Sequence, residues 1–322
     1  MTEGPLGPSV WAVSDGRAGN ANLVRAVVRA LSETQRWMRI AHIDAAGHRP
    51  DPLTLTPQSP WTLFPPDRWP SPRLALPKAQ RDQLAPPWPT VWVSAGRRTA
   101  PFAAAMRQWS KGQTFVVHML DPKIDPSAFD LLVTPEHDTL RAPNVVNTLG
   151  SPSYFAPEEI EDAGLAFADL ADERGKRALV LLGGDSNAHK FSDKNADALI
   201  GQIKTLASTG WRFRISGSRR TPVSVRAKFR EVADLVGAQY WGGPADGPNP
   251  FLAWLLFSEV AIVTEDSANM LSDAAYFGLP IHVARLTGRS DKFDRLHASF
   301  IERGCARWFE GELAHWRYEP LR

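Results

Sequence analysis

Short apolar runs, glycine- and hydroxyl-rich turns and amphipathic stretches follow one another in the same order along most of this chain. Val10-Trp-Ala-Val13 is an apolar run that ends in Ser14-Asp-Gly-Arg-Ala-Gly-Asn20, after which Leu23, Val24, Val27, Val28 and Leu31 recur at helical spacing. Strand, glycine loop and helix are the predicted elements. A second strand is predicted over 38–43, a third over 91–94 with the loop 95–99 and a helix over 101–109, and further strands over 115–120 and 131–134. Residues 50–89 hold 12 of the 27 prolines together with Trp61, Trp69 and Trp88, which predicts an irregular insertion or two short proline-broken helices.

After an acidic, alanine-rich stretch around 150–176 the series restarts. The run 178–182 leads into Gly183-Gly-Asp-Ser186 and a helix over 193–207; the run 211–215 leads into Ser216-Gly-Ser-Arg-Arg-Thr221 and a helix over 222–236. Tyr240-Trp241 precedes a glycine-proline loop, and the apolar segment 251–256 leads into the clearest unit of the chain. There, 262–283 read as strand, turn, amphipathic helix, Gly-Leu-Pro turn and a closing strand at 281–283, which is a parallel βαβ unit. Two such series predict an α/β protein with two Rossmann-like lobes and parallel sheets, divided as 1–156 and 157–322, with segment 306–322 able to pack back on the N-terminal lobe.

A length of 322 residues suits two domains, and a net charge of +2 without a dense Lys/Arg block argues against nucleic acid as a partner. The single cysteine, Cys305, excludes an intrachain disulfide framework and a multi-cysteine zinc site. No signal peptide and no membrane-spanning apolar stretch are visible. The expectation is a cytoplasmic protein, with peripheral contact at the inner face of the cytoplasmic membrane left open.

In doubly wound sheets ligands bind beyond the carboxyl ends of the strands, so the loops there are the candidate chemistry. Asp15, Gly16, Arg17 and Gly19 lie in the first; Gly96 and Arg97, followed by Arg98, in the next; Gly183, Gly184 and Ser186, then Ser218, Arg219 and Arg220, and finally Glu265, Asp266, Ser267 and Asn269 in the second half. Glycine admits backbone amides to an anion, hydroxyls donate to it, and arginine binds phosphate bidentately. Each loop also has a plain structural reading. The first is neither a P-loop nor a dinucleotide fingerprint; Gly183-Gly184 also suits a tight turn, and Asp266 or Ser267 suits an N-cap. Two cations at a helix start oppose the dipole, so Arg219 and Arg220 call for a compensating anion. Asp273, on the second turn of the following helix, reads by spacing alone as a surface carboxylate.

The eight histidines, among them His42 and His48, show no metal-ligand spacing on one helix, and no metal site or cofactor is expected. His137, in Pro135-Glu-His-Asp138 directly after a strand, is the best acid-base candidate among them. A nucleophile elbow and a metal-binding Asp-x-Asp are both absent.

The chain resembles, over essentially its whole length, the bacterial relatives of the plant mitochondrial-fission factor named for its elongated-mitochondria mutant. Asp15-Gly-Arg-Ala-Gly19, Ser94-Ala-Gly-Arg-Arg-Thr-Ala-Pro101, Pro135-Glu-His-Asp138, Leu182-Gly-Gly-Asp-Ser186, Ser218-Arg-Arg-Thr-Pro222, Thr264-Glu-Asp-Ser267 and Arg317-Tyr-Glu-Pro320 carry the likeness. It implies a glycosyltransferase-B-like fold. The second half is also similar to the lipid-II-forming N-acetylglucosaminyl transferase, which implies a ribose-binding role for Asp273 and a pyrophosphate role for Ser267 to Asn269. Both families are similar in carrying His where this chain has Asn20; if that His is catalytic, the resemblance implies either another base here, Asp15 or His137, or an inactive chain.

The function expected on this basis is metal-independent glycosyl transfer from a nucleoside-diphosphate sugar, a UDP-sugar favoured, held between the lobes, to a lipid-linked or other cell-envelope acceptor. A non-catalytic scaffold recruiting a partner at a membrane surface is the alternative, and a sugar-nucleotide epimerase a third.

Overall fold

In the computed structural model the described residues are 9–34, 39–41, 52–172 and 175–321. The chain forms two compact units, Met1–Tyr154 and Phe155–Arg322.

In the first unit, β1 (Ser9–Ser14), α1 (Ala18–Thr34), β2 (Arg39–Ala41) and β3 (Leu53–Thr54) precede α2 (Lys78–Gln83). They are followed by β4 (Val91–Ala95), α3 (Ala100–Trp109), β5 (Phe115–Met119), β6 (Leu131–Pro135) and β7 (Val145–Thr148). The strands run in the order β2-β1-β4-β5-β6-β7, with β3 also on β1, and every pairing is parallel. Helical spacing in α1 is met: Leu23, Val24 and Val28 are buried against one face of the sheet, with Val27 and Leu31 at its margin. Only the middle of the strand expected over 38–43 is described, and His42 and His48 lie outside the described residues.

The proline-rich segment is more than two short helices. Three 3₁₀ turns, Trp61–Leu63, Pro66–Arg68 and Pro72–Ala75, alternate with extended chain before α2, because proline removes the donors that a continuous ladder needs. Its Leu55, Trp69, Leu76 and Leu84 are buried against Phe102 and Met106 of α3 and Trp92 of β4, so it forms the other half of the unit's core.

The second unit contains α4 (Pro157–Ala166), β8 (Lys176–Leu182), β9 (His189–Lys190), α5 (Asp193–Ser208), β10 (Trp211–Gly217), α6 (Val223–Val236) and β11 (Gln239–Trp241). It continues through α7 (Phe251–Phe257), β12 (Val260–Thr264), α8 (Ala268–Tyr276), β13 (Ile281–Ala284), β14 (Thr287–Gly288), α9 (Asp291–Glu302) and β15 (Ala306–Trp308). The order β11-β10-β8-β12-β13-β15 is parallel throughout, and β9 pairs antiparallel with β14. Leu179 to Leu182 of β8 and Val260 to Val263 of β12 are fully buried, as befits central strands covered on both faces.

One expectation is corrected here. The strand at 281–283 does not close the sheet: β15 pairs outside it through Ile281 opposite Ala306, reached by α9, whose Leu296, His297 and Phe300 are buried. The C-terminal segment is anchored on its own unit, through Tyr318 Oη donating to the Leu279 carbonyl at 2.7 Å and the Leu321 amide to that of Ala275 at 3.1 Å.

Candidate functional site

Strand order reverses between β8 and β12, so the crevice at the carboxyl ends of these strands is the topological switch point of the second unit. Three loops meet there. Thr264, the last residue of an all-buried strand, accepts from the Gly183 amide at 2.8 Å and donates to Asp266 Oδ1 at 2.7 Å. Asp266 Oδ2 accepts from the Gly184 amide at 2.9 Å and from Arg220 Nη2 at 2.8 Å. Ser218 Oγ donates to the Gly183 carbonyl at 2.9 Å, and Thr221 Oγ1 to that of Leu182 at 3.0 Å.

The Asp266 side chain has no exposed surface, and all its charge is answered within the chain. The two glycines follow from this closure. A Cβ on Gly183 would lie 2.1 Å from Asp266 Oδ1, and one on Gly184 would lie 2.0 Å from the Arg220 carbonyl oxygen. The anion that Arg220 calls for is therefore Asp266. Arg219 is exposed and has no ion pair among the described residues.

At the head of α8, Ser267 is the N-cap, its Oγ accepting from the Met270 amide at 3.5 Å. Asn269 is half-buried in the first turn and Asp273 half-buried in the second. Glu265 points away from this head: its carboxylate accepts from the Leu286 amide, and burial raises its pKa above the ordinary carboxylate value. Its carbonyl lies 2.9 Å from His297 Nε2, which places the His297 proton on that nitrogen, and burial pushes the His297 pKa down to about 4. Ser186 closes its own turn, accepting from the amides of Ala188 and His189 at 3.2 and 3.0 Å. The neighbouring Asp185 is held below its ordinary pKa by the Phe191 amide and then by Lys190.

In the first unit, Asp15 is 8% exposed, and its Oδ1 accepts from the Arg17 amide at 3.1 Å and from Asn20 Nδ2 at 2.9 Å. Arg17 Nε lies 3.7 Å from Oδ2. Gly16 is left-handed at φ 78°, whereas Gly19 falls inside the first turn of α1. Gly96, at φ 91°, faces Asn20: a Cβ there would lie 2.2 Å from Nδ2, so Asn20 packs directly on the β4 loop. Arg97 and Arg98 are exposed. His137 is buried in the turn after β6, three strands from Asp15, or about 14 Å at ordinary strand spacing. The structure does not bring these two residues together.

Thr264 and Thr221 are the site residues that motif reading passes over, and both sit where a buried strand or a polar loop ends in a hydroxyl. Ser94 and His118 also meet unexpectedly, with Oγ to Nδ1 at 2.8 Å. Both are fully buried, and burial pushes the His118 pKa down to about 3, so this is a core hydrogen bond. Among the described residues no group of three His, Cys, Asp or Glu side chains is arranged to hold a metal ion, and no helix is long and apolar enough to cross a membrane.

Comparison with known proteins bears on the fold and the family. Among solved structures, the UDP-GlcNAc 2-epimerase from Methanocaldococcus jannaschii has a TM-score of 0.58 at 13% identity, over 94% of this chain and 89% of that one. That likeness is one of fold, α/β with two parallel sheets and glycosyltransferase-B-like. The Rickettsia prowazekii (strain Madrid E) protein RP120 is 22% identical over 270 residues, 72% of this chain and 76% of its own length. Mitochondrial fission protein ELM1 of Arabidopsis thaliana is 26% identical over 261 residues, 72% of this chain and 61% of the plant protein, so the chain spans less than two thirds of that relative. The family described as Mitochondrial fission ELM1 matches residues 18–322, and the chain belongs to it.

Proposed function

We propose that the second unit binds a nucleoside-diphosphate sugar, a UDP-sugar favoured, and that the chain transfers the sugar to a cell-envelope acceptor. The observation that supports this most is the closure of the three switch-point loops around Asp266, which fixes the β10 loop and the head of α8 while leaving Arg219 exposed and unpaired. In this reading Gly183, Gly184, Ser218, Arg220 and Asp266 are the frame. Arg219 and the first amides of α8, at Ala268 and Asn269, take the diphosphate, and Asp273 takes the ribose hydroxyls.

Cleavage of the sugar–phosphate bond leaves negative charge on the departing diphosphate. A guanidinium and a helix N-terminus stabilise that charge without a metal ion. On the first unit Asp15 or His137 would accept the proton of the attacking hydroxyl. Asn20 holds Asp15 Oδ1, so Oδ2, buried without a hydrogen bond and 3.7 Å from Arg17 Nε, is the oxygen that would act as base once Arg17 swings aside. The proline-rich insertion exposes Leu63 (78%), Phe64 (54%) and Leu74 (58%), apolar surface suited to a lipid-linked acceptor.

Thermal unfolding of the full chain with UDP, GDP, CMP and UDP-sugars tests the binding step, and no rise in midpoint with any of them contradicts it. Where a ligand raises the midpoint, release of the nucleoside diphosphate only with envelope lipid present marks transfer. Altered sugar stereochemistry without an acceptor marks the epimerase named by the structural neighbour, and binding without turnover marks a scaffold. With turnover, Asp15→Asn is expected to lower kcat by about 100-fold or more with UDP affinity kept, if Asp15 is the base.

A further inference from the structure

Beside this switch point, at the β10–β11 edge, lies a cavity of about 440 Å³ between the first two turns of α6 and the loop after β11. Val225, Phe229, Val232 and Ala233 turn the opposite face of α6 into the core, so Arg226 and Arg230, one turn apart, line the cavity. Its wall is fixed. Arg230 Nη2 is 2.6 Å from Asp246 Oδ1, its guanidinium lies 4.6 Å over the Tyr240 ring, and Asp246 Oδ2 accepts from the Gly242 amide at 2.7 Å.

Among the residues that line the cavity that pair cancels its own charge and leaves one cation over; Asp234, whose charge reaches Arg230, is exposed and not part of the lining. Arg226 is half-buried and has no ion pair among the described residues. Beside it the Tyr240 hydroxyl has no hydrogen-bond partner among them either. Gly242 keeps this hydroxyl open, since a Cβ there would lie 2.7 Å from Tyr240 Oη. Burial raises the Tyr240 pKa, and the charge of Arg230 and, by less, that of Arg226 oppose the rise.

We infer that this cavity is a binding site for a small phosphate monoester, held by the Arg226 guanidinium and the Tyr240 hydroxyl beside the Arg230–Asp246 pair. An uncompensated guanidinium with an adjacent O–H donor is oxyanion chemistry, and the planar fork of arginine suits phosphate. The volume leaves room for more than an inorganic ion beside the guanidinium, so a sugar or nucleoside ester fits where free phosphate leaves space. The site is separate from the diphosphate contacts assigned to Arg219 and α8, and it stands whether or not these hold.

The test is isothermal titration of the full chain with inorganic phosphate, glucose 1-phosphate and UMP, with glucuronate as the carboxylate control. Saturable binding of at least one ester, tighter than that of free phosphate, is expected. Arg226→Ala should weaken it about 10-fold or more and Tyr240→Phe by a smaller factor, with Arg226→Lys recovering part of the loss. Unchanged thermal unfolding of the variants confirms that they are folded. No saturable binding up to about 10 mM, equal binding by Arg226→Ala, preference for glucuronate, or loss of ester binding in Arg219→Ala would each overturn the assignment.

Discussion

At the residue scale the loops of the second unit are governed by one buried carboxylate. Asp266 collects the Gly184 amide, the Thr264 hydroxyl and Arg220, and replacing it with Ala leaves these donors without an acceptor. Asp266→Ala is expected to cost about 2 kcal/mol, discounted because Arg220 is 44% exposed and regains water. Gly184→Ala sets a methyl against backbone and is expected to cost about 2–3 kcal/mol. Urea denaturation measures both, and wild-type midpoints would contradict the framing role. The motif Thr264-Glu-Asp-Ser267 is visible in the sequence, yet it does not say which of the two buried acids frames the switch-point loops. Local spacing leaves Glu265 and Asp266 equivalent, and only the approach of β8 and of Arg220 from far along the chain separates them.

The buried imidazoles make a pH prediction of the same kind. His297 has a folded pKa of about 4 against an ordinary 6.5, and His118 one of about 3. Below pH 6.5 the unfolded chain takes up protons that the folded chain refuses, so stability falls as pH drops from 6.5 towards 4. The His297 share is on the order of 3 kcal/mol. Glu265, raised by burial, acts in the opposite sense and loses stability as pH rises above its unfolded value. Urea midpoints lower at pH 4.5 than at pH 7, with a shallower slope in His297→Gln, are the expected outcome; a flat profile contradicts it.

At the scale of elements, local signals suffice where a strand runs into a helix. The Ser192 N-cap starts α5, and Gly237, left-handed at φ 67°, ends α6 at the residue after the expected terminus. Gly237→Ala should destabilise by about 1 kcal/mol. Gly201, inside α5 with nothing within 4 Å of a Cβ, should give the reverse, a gain of about 0.5–1 kcal/mol on change to Ala. Thermal unfolding of the two variants checks both signs. Missed elements share a different property. β15 is three residues long and carries Arg307, so it has no apolar run of its own and exists through its pairing with β13. The 3₁₀ turns of the insertion hide behind prolines, and their order comes from Trp69 and Leu76 packing on α3.

For the whole molecule, the repeated strand-loop-helix order made two parallel-sheet units legible, and the family match extends over most of the chain. What the sequence left open is which polar loops serve ligands, because a closed hydrogen-bond frame and a phosphate cradle use the same glycines and hydroxyls. The exposed apolar tip carries a prediction at this scale. Leu63→Asp with Phe64→Ser should leave thermal stability unchanged, since both side chains are exposed, while lowering transfer to an acceptor in lipid vesicles. Equal transfer would remove the insertion from the acceptor site.

The central claim is that Arg219 and the head of α8 hold a nucleoside diphosphate. Calorimetric titration of UDP into wild type, Arg219→Ala and Asp273→Ala tests it most directly. Saturable binding by wild type, weakened about 10-fold or more by each substitution, is the expected result; wild-type binding that neither substitution alters, or no binding at all, contradicts it.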